Sequence, residues 1–236
     1  MKPLTVCITY DDNFEPMCSQ LCSNLRVDGI RIRLNKTETR EDYSTGFQSA
    51  NWYSNLSEKM LFLRSKMEEV DEGEVICVAD ADIQFFRPDD LLQVKSSMEA
   101  SDIEYAGQRE TDEELFNGGF FLIKKSLKTM NFLDEINSED LTKYSHAEQD
   151  VINRLIPRMD IRSRFLSRLK YLNGCMRFDN YVCPKIAGKI VMHHATCAYN
   201  AQQKMEQMNF VREKIGLDRI EWSTHIGVLL KCSLTK

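Results

Sequence analysis

Residues 75–86 read VICVADADIQFF: an apolar run of strand length ending in Asp80 and Asp82, with only Ala81 between them. The length and β-branched content of residues 75–79 predict a buried strand, and a second apolar stretch at 83–86 follows before Arg87-Pro88 breaks it. Side chains alternate along a strand, so carboxylates spaced by one residue leave the same face where the strand ends. In an open α/β sheet, ligands bind at the carboxyl ends of the strands. Two hard oxygen donors placed there suit Mn2+ or Mg2+, ions usually held by one or two carboxylates plus substrate phosphates. A solvated acidic turn is the competing reading, and the surrounding chain has to decide between them.

The chain has 236 residues, 42% of them apolar, enough to bury the core of one large domain spanning 1–236. No stretch reaches the ~20 apolar residues needed to span a bilayer, and the opening MKPLTVCITYDD lacks the apolar centre of a signal peptide. A cytoplasmic protein without a membrane segment is therefore expected. A net charge of −5 with interspersed signs argues against nucleic acid as a partner, which would call for a concentrated basic patch. Eight cysteines form no CxxC pair, and several lie in apolar runs, which favours buried thiols over disulfides or zinc. Cys18 and Cys22, one helical turn apart, lack nearby further ligands for a zinc site.

No repeat or linker interrupts the chain. LTVCITY reads as a strand, residues 15–26 as a helix, and GIRIRL as a second strand introduced by Gly29, the opening of an α/β sheet of mainly parallel strands flanked by helices. In a long helix over 49–70, Leu56, Met60, Leu63, Met67 and Val70 form one stripe. Lys59 lies at its margin, placed either to snorkel to water or to reach over the sheet edge towards a phosphate. Pro88-Asp89-Asp90 opens another helix, IEYAG a strand, and residues 108–115 a polar loop. In FNGGFFLIKKS, Gly118 and Gly119 precede an apolar strand, where their missing Cβ atoms allow a sharp bend or a close ligand. HAEQDVINRLI is a helix whose first turn turns Glu148 and Gln149 towards the protein. KIVMHHATCAYN ends a strand in His193 and His194, which point to opposite faces, so at most one joins the aspartates. The stretch WSTHIGVLLKCSL reads either as a final packing element or as a contact between copies.

In order, ITY (8–10), Lys59, VADADIQFF (78–86), FNGGFFLIK (116–124), EQDVIN (148–153) and HHATCAYNAQQK (193–204) resemble the GT-A-type glycosyltransferases of the nucleotide-diphospho-sugar transferase family. That family carries a DxD strand, an FNxGF segment, a DQD helix and a late HxN or HAN histidine. The resemblance implies a Rossmann-like GT-A fold with a mixed, mainly parallel sheet, a nucleotide-sugar donor such as a UDP-sugar, and transfer of the sugar to a hydroxyl of a glycan or other acceptor with Mn2+ or Mg2+. Carried over by position, Asp80, Asp82 and His194 would hold the metal, with His193 as the register alternative. Asp80 and Ala81 would also meet the donor nucleotide, and Thr9, Tyr10 and Lys59 would lie along it. Lys204 or Lys59 would offset phosphate charge. Asn117 and Gly118 would lie along the donor sugar or acceptor, and Glu148 and Gln149 beneath the anomeric carbon. Glu148 stands where the family commonly has aspartate, and Thr196 where asparagine is usual. The family includes retaining enzymes, which makes retention the expected outcome. Two other readings stay open: a phosphohydrolase with an aspartate nucleophile, although Asp82 is followed by IQFF and not by a small residue, and a non-catalytic sugar-nucleotide binder.

Overall fold

The computed structural model describes residues 2–38, 49–110, 114–174, 188–196, 198 and 200–222. From β1 (Leu4–Tyr10) the chain passes through α1 (Glu15–Asn24) to β2 (Ile30–Lys36), and α2 (Ala50–Glu68) returns it to β3 (Val75–Ala79). Next come β4 (Ile83–Phe85), α3 (Asp89–Glu99), β5 (Tyr105–Arg109), β6 (Phe116–Lys124), α4 (Leu127–Ser138) and α5 (Glu148–Arg158). The described chain then forms β7 (Ser163–Phe165), β8 (Tyr171–Asn173), β9 (Met192–His194) and α6 (Ala201–Lys214).

The expected α/β class holds. The main sheet has the order β2-β1-β3-β6-β5-β7. Only β6 runs against its neighbours; β1–β2, β1–β3 and β5–β7 pair in parallel. Reversal of β6 matters for position: its pairing sets Ala79 opposite Phe120, so residues 116–119 lie at the carboxyl end of β3. Both faces of the sheet are covered, which is why β3 reads as a continuous apolar run and not as an alternating one. Leu4, Val6, Ile8, Val75, Cys77 and Ala79 pack with Cys18 and Leu21 of α1 and Leu91 and Met98 of α3. Cys7, Ile76 and Val78 face the other way, onto Met60 and Leu63 of α2, Phe132 and Ile136 of α4, and Val151 and Leu155 of α5.

Three helices start on side-chain caps. The Ser49 side chain accepts from the Trp52 amide, Ser126 and Thr129 close a capping box, and Asn200 caps α6, each satisfying an amide that the first helical turn leaves without a partner. Beyond β3 the chain leaves the main sheet. β4 joins a smaller sheet of order β4-β9-β8, with Ile83 opposite His194 and Gln84 opposite His193.

Two sequence expectations change. Gly118 and Gly119 lie within β6, not ahead of it, and β5 continues through Gln108 to Arg109 where a loop was expected. Cys18 and Cys22 pack beneath α1 in the core, and no third metal-binding side chain joins them among the described residues. Cys175, Cys183, Cys197, Cys232, loop residues 111–113 and the C-terminal stretch after Trp222 lie outside the described residues. Among those described, no helix is long and apolar enough to cross a membrane.

Burial pushes the Cys7 thiol up to about 12 and the Cys77 thiol well above its ordinary range, so neither is a thiolate near neutrality. Alkylation with iodoacetamide followed by peptide mapping is expected to spare both in the folded protein and to modify both in concentrated urea. Rapid labelling of either in the folded state would contradict this packing.

Candidate active site

The turn Asp80-Ala81-Asp82 carries the chain from one sheet to the other and is held from both sides. The Asp80 amide donates to the Gly119 carbonyl at 2.8 Å, and the Ala195 amide donates to the Asp82 carbonyl at 2.9 Å. These bonds bring β6 and β9 together around the two carboxylates. His194 Nε2 lies 3.2 Å from Asp82 Oδ1 and 3.9 Å from Asp80 Oδ2, and one donor atom from each of the three falls within 4.8 Å of the others. A hard divalent ion with bonds of about 2.0–2.6 Å accepts donors at such spacings, and a carboxylate-imidazole set suits Mn2+ or Mg2+.

The two aspartates divide their oxygens in the same way. Asp80 gives Oδ1 to Lys59 Nζ at 3.0 Å, and Asp82 gives Oδ2 to Lys204 Nζ. The other oxygen of each faces His194. Burial opposes ionisation of Asp82, but the Lys204 ammonium and His194 outweigh it and hold the carboxyl well below the usual range. Lys204 also donates to the Ala195 carbonyl at 3.0 Å.

Gly119 is what lets the group close. A Cβ there would lie 2.4 Å from His194 Cε1 and 2.5 Å from Asp80 Oδ2, so the strand interior has to be bare at this point. His193, the register alternative, faces away: its Nδ1 is 3.0 Å from Gln84 Nε2, and burial lowers its pKa to about 3. The opposite faces of adjacent strand residues thus settle which histidine meets the aspartates.

A second cluster adjoins the first. Lys59 was expected at water or over a phosphate, but the residue is only 4% exposed and its ammonium turns inward. It donates to Glu148 Oε1 at 2.6 Å, to Asp80 Oδ1 at 3.0 Å and to the Gly118 carbonyl at 3.3 Å, using all three of its hydrogens. Burial alone would lower the Lys59 pKa; the Asp80 and Glu148 charges overcome it and raise it. Glu148 is raised by burial and by Asp80, against the pull of Lys59. Gln149 Oε1 accepts from the Gly118 amide at 3.1 Å, and Asn117 Oδ1 accepts from the Gly119 amide at 2.8 Å.

Sequence reasoning missed three side chains here. Gln108 Oε1 is 2.9 Å from His194 Nδ1. Glu110 accepts from Asn117 Nδ2 at 2.9 Å and from Asn173 Nδ2 at 3.1 Å. Asn173 Oδ1 in turn accepts from the Thr196 hydroxyl at 2.6 Å. Extending the IEYAG alternation by two residues was the one signal that could have put Gln108 on a strand face. Thr9 and Tyr10 end β1, the strand beside β3, on the same sheet edge as the aspartates. The Thr9 hydroxyl is buried and has no partner among the described residues.

A six-stranded mixed sheet between two helical layers, with a DxD turn at the end of its third strand, defines a GT-A fold of the glycosyltransferase class. The nucleotide-diphospho-sugar transferase family model matches residues 5–208, and the chain belongs to that family. Among solved structures it is similar to a glycosyltransferase involved in the glycosylation of the major capsid of PBCV-1, at 12% identity over 87% of this chain and 100% of that one, TM-score 0.61. It is similar to the glycosyltransferase GlyE of Streptococcus pneumoniae TIGR4 at 13% identity over 99% and 64%, TM-score 0.56. Mouse xyloside xylosyltransferase 1 matches at 9% identity over 83% and 98%, TM-score 0.52. At these identities the likeness establishes the fold. No curated protein sequence matches the chain significantly.

Removing the Lys59 ammonium leaves the buried Glu148 carboxylate, and the partly exposed Asp80, without their shared cation. Lys59→Met is expected to cost about 3–5 kcal/mol of stability, read by urea unfolding, and adding Glu148→Gln should recover part of the loss. A K59M variant as stable as the wild type would show that the ion pairs contribute nothing.

Proposed function

We propose that the chain transfers a sugar from a nucleotide-diphosphate sugar, with a UDP-sugar as the first donor class to test, to a hydroxyl of a glycan or other acceptor. The observation that carries this reading is the convergence of Asp80, Asp82 and His194 at the strand end of a family member. The fit of these donors supports dependence on Mn2+ or Mg2+. Retention of anomeric configuration is the stereochemical outcome we assign, and it rests on the family resemblance alone.

A divalent cation held by Asp80, Asp82 and His194 would supply Lewis-acid stabilisation to the departing diphosphate. Every other contribution comes from the chain itself. Lys204 sits at the outer edge of the aspartate pair and offers a second positive charge to a phosphate. Thr9, Tyr10, Ala81 and Lys59 border the space assigned to the nucleotide. Lys59 acts there mainly by fixing Asp80 and Glu148 relative to each other. Glu148 and the Gln149 amide present negative and dipolar groups to the side where positive character develops on the sugar. Asn117 and Gly118 line the sugar or acceptor side. The phosphohydrolase reading loses support because Asp82 is followed by IQFF and not by a small residue, and because Lys204 and His194 lie against its two oxygens.

A thermal-shift screen of nucleotide sugars with and without Mn2+ tests this directly, since a ligand that binds only the folded state raises its melting temperature. The cognate donor should raise Tm in a Mn2+-dependent way, and Asp82→Ala should abolish both that rise and transfer while circular dichroism shows the fold retained. Metal-free transfer at full rate would remove the proposed role of the aspartates. Glu148→Gln should lower kcat and kcat/KM together by about 100-fold; a change confined to KM would take Glu148 out of the transition state.

A further inference from the structure

Gln108 touches no part of the space assigned to substrate, yet it is fully buried against the ring of His194. Its amide orientation is fixed by its surroundings. The nitrogen side lies 2.8 Å from the Leu172 carbonyl and 3.5 Å from that of Tyr171. Carbonyl oxygens only accept, so the amide hydrogens must face β8 and Oε1 must face His194 Nδ1. An amide oxygen also only accepts, which requires Nδ1 to carry the hydrogen. In the neutral imidazole this leaves the lone pair on Nε2, the atom lying 3.2 Å from Asp82 Oδ1 and 3.9 Å from Asp80 Oδ2. Which ring nitrogen binds a metal is set by the hydrogen bond that the other one makes.

We infer that Gln108 is a positioning residue for the cation site: it locks His194 in the Nδ1–H form and aims Nε2 at the space between the two aspartates. This rests on the metal-site reading above. The placement also explains why a glutamine at the end of β5 is tolerated without exposure. Its donors close on β8 and its acceptor on β9, so the side chain ties the main sheet to the small sheet at the point where the histidine has to be held still.

Mn2+ titration followed by the electron paramagnetic resonance of the free ion tests the inference without a turnover assay. Gln108→Leu removes the acceptor and should weaken Mn2+ binding by about 10–100-fold, with circular dichroism confirming the fold; should Q108L not fold, Gln108→Met carries the same comparison. Gln108→Glu keeps an acceptor for Nδ1–H and, as the neutral acid favoured by burial, a donor for Leu172, so it should bind Mn2+ more tightly than Q108L. In a His194→Ala background, Q108L should add less than about a twofold loss, because its effect passes through the ring. Wild-type affinity in Q108L, the same cost in the H194A background, or no recovery in Q108E would each overturn the role of Gln108. If H194A binds Mn2+ as the wild type does, the metal site itself falls; if H194A is weakened while Q108L is not, the Gln108 inference alone falls.

Discussion

Three carboxylates meet at the carboxyl end of β3, and that crowding governs the rest of the site. Asp82 and Glu148 are buried, and Asp80 stands between them. Like charges repel more strongly as water is withdrawn, so an acidic cluster of this kind persists only with compensating groups at hand. Two lysines supply compensation from outside, Lys59 between Asp80 and Glu148 and Lys204 against Asp82. Each aspartate is left with one oxygen turned inward towards His194. The negative charge that remains is therefore concentrated in one small space, where a cation would complete the balance.

Geometry follows from where the chain changes sheets. A strand that continued past Ala79 would have set Asp80 and Asp82 along a ladder with their backbones committed to neighbours. Here β3 stops, the Asp-Ala-Asp turn crosses over, and β4 pairs with β9 instead. Pairing to β9 delivers His194, pairing of β3 to β6 delivers Gly119, and the bare Cα at 119 lets imidazole and carboxylate approach over it. Two segments distant in sequence join the turn in one site because each is bonded to it.

Much of the fold was readable because its signals are local. The buried strand β3 is an uninterrupted apolar run, β1 is apolar apart from its threonines, and α2 shows its stripe of Leu56, Met60, Leu63 and Met67. The aspartate pair and the alternation that separates His193 from His194 were likewise written in adjacent residues. What escaped was set by partners far along the chain. A lysine beside an apolar stripe usually reaches water, and only residues 80 and 148 make Lys59 turn inward. Gln108 looks like a loop residue because its polarity is satisfied by β8 and β9, which a local window does not contain. The short strands β7 and β8 hold three residues each, too few to establish a period. Gly118 and Gly119 suggested a bend or a close approach; they lie inside β6 where its register with β5 shifts, and tertiary contact with His194, Asp80 and Glu148 asks for bare backbone there.

The two departures from the family pattern have physical accommodations. Glu148 is one methylene longer than the aspartate common at this position, and it needs room. Gly118 provides it, since a Cβ there would stand 3.0 Å from Glu148 Oε1. With that room, the carboxylate reaches the Lys59 ammonium at 2.6 Å, so the longer acid and the inward lysine form a matched pair. Thr196 replaces an amide that could both donate and accept through separate atoms. Its hydroxyl donates to Asn173, which donates onward to Glu110, so the shorter side chain reaches the Asn117 network through an intermediary in place of its own amide. Both substitutions keep the charges and hydrogen bonds around the turn accounted for, which is the condition that a buried polar cluster has to meet.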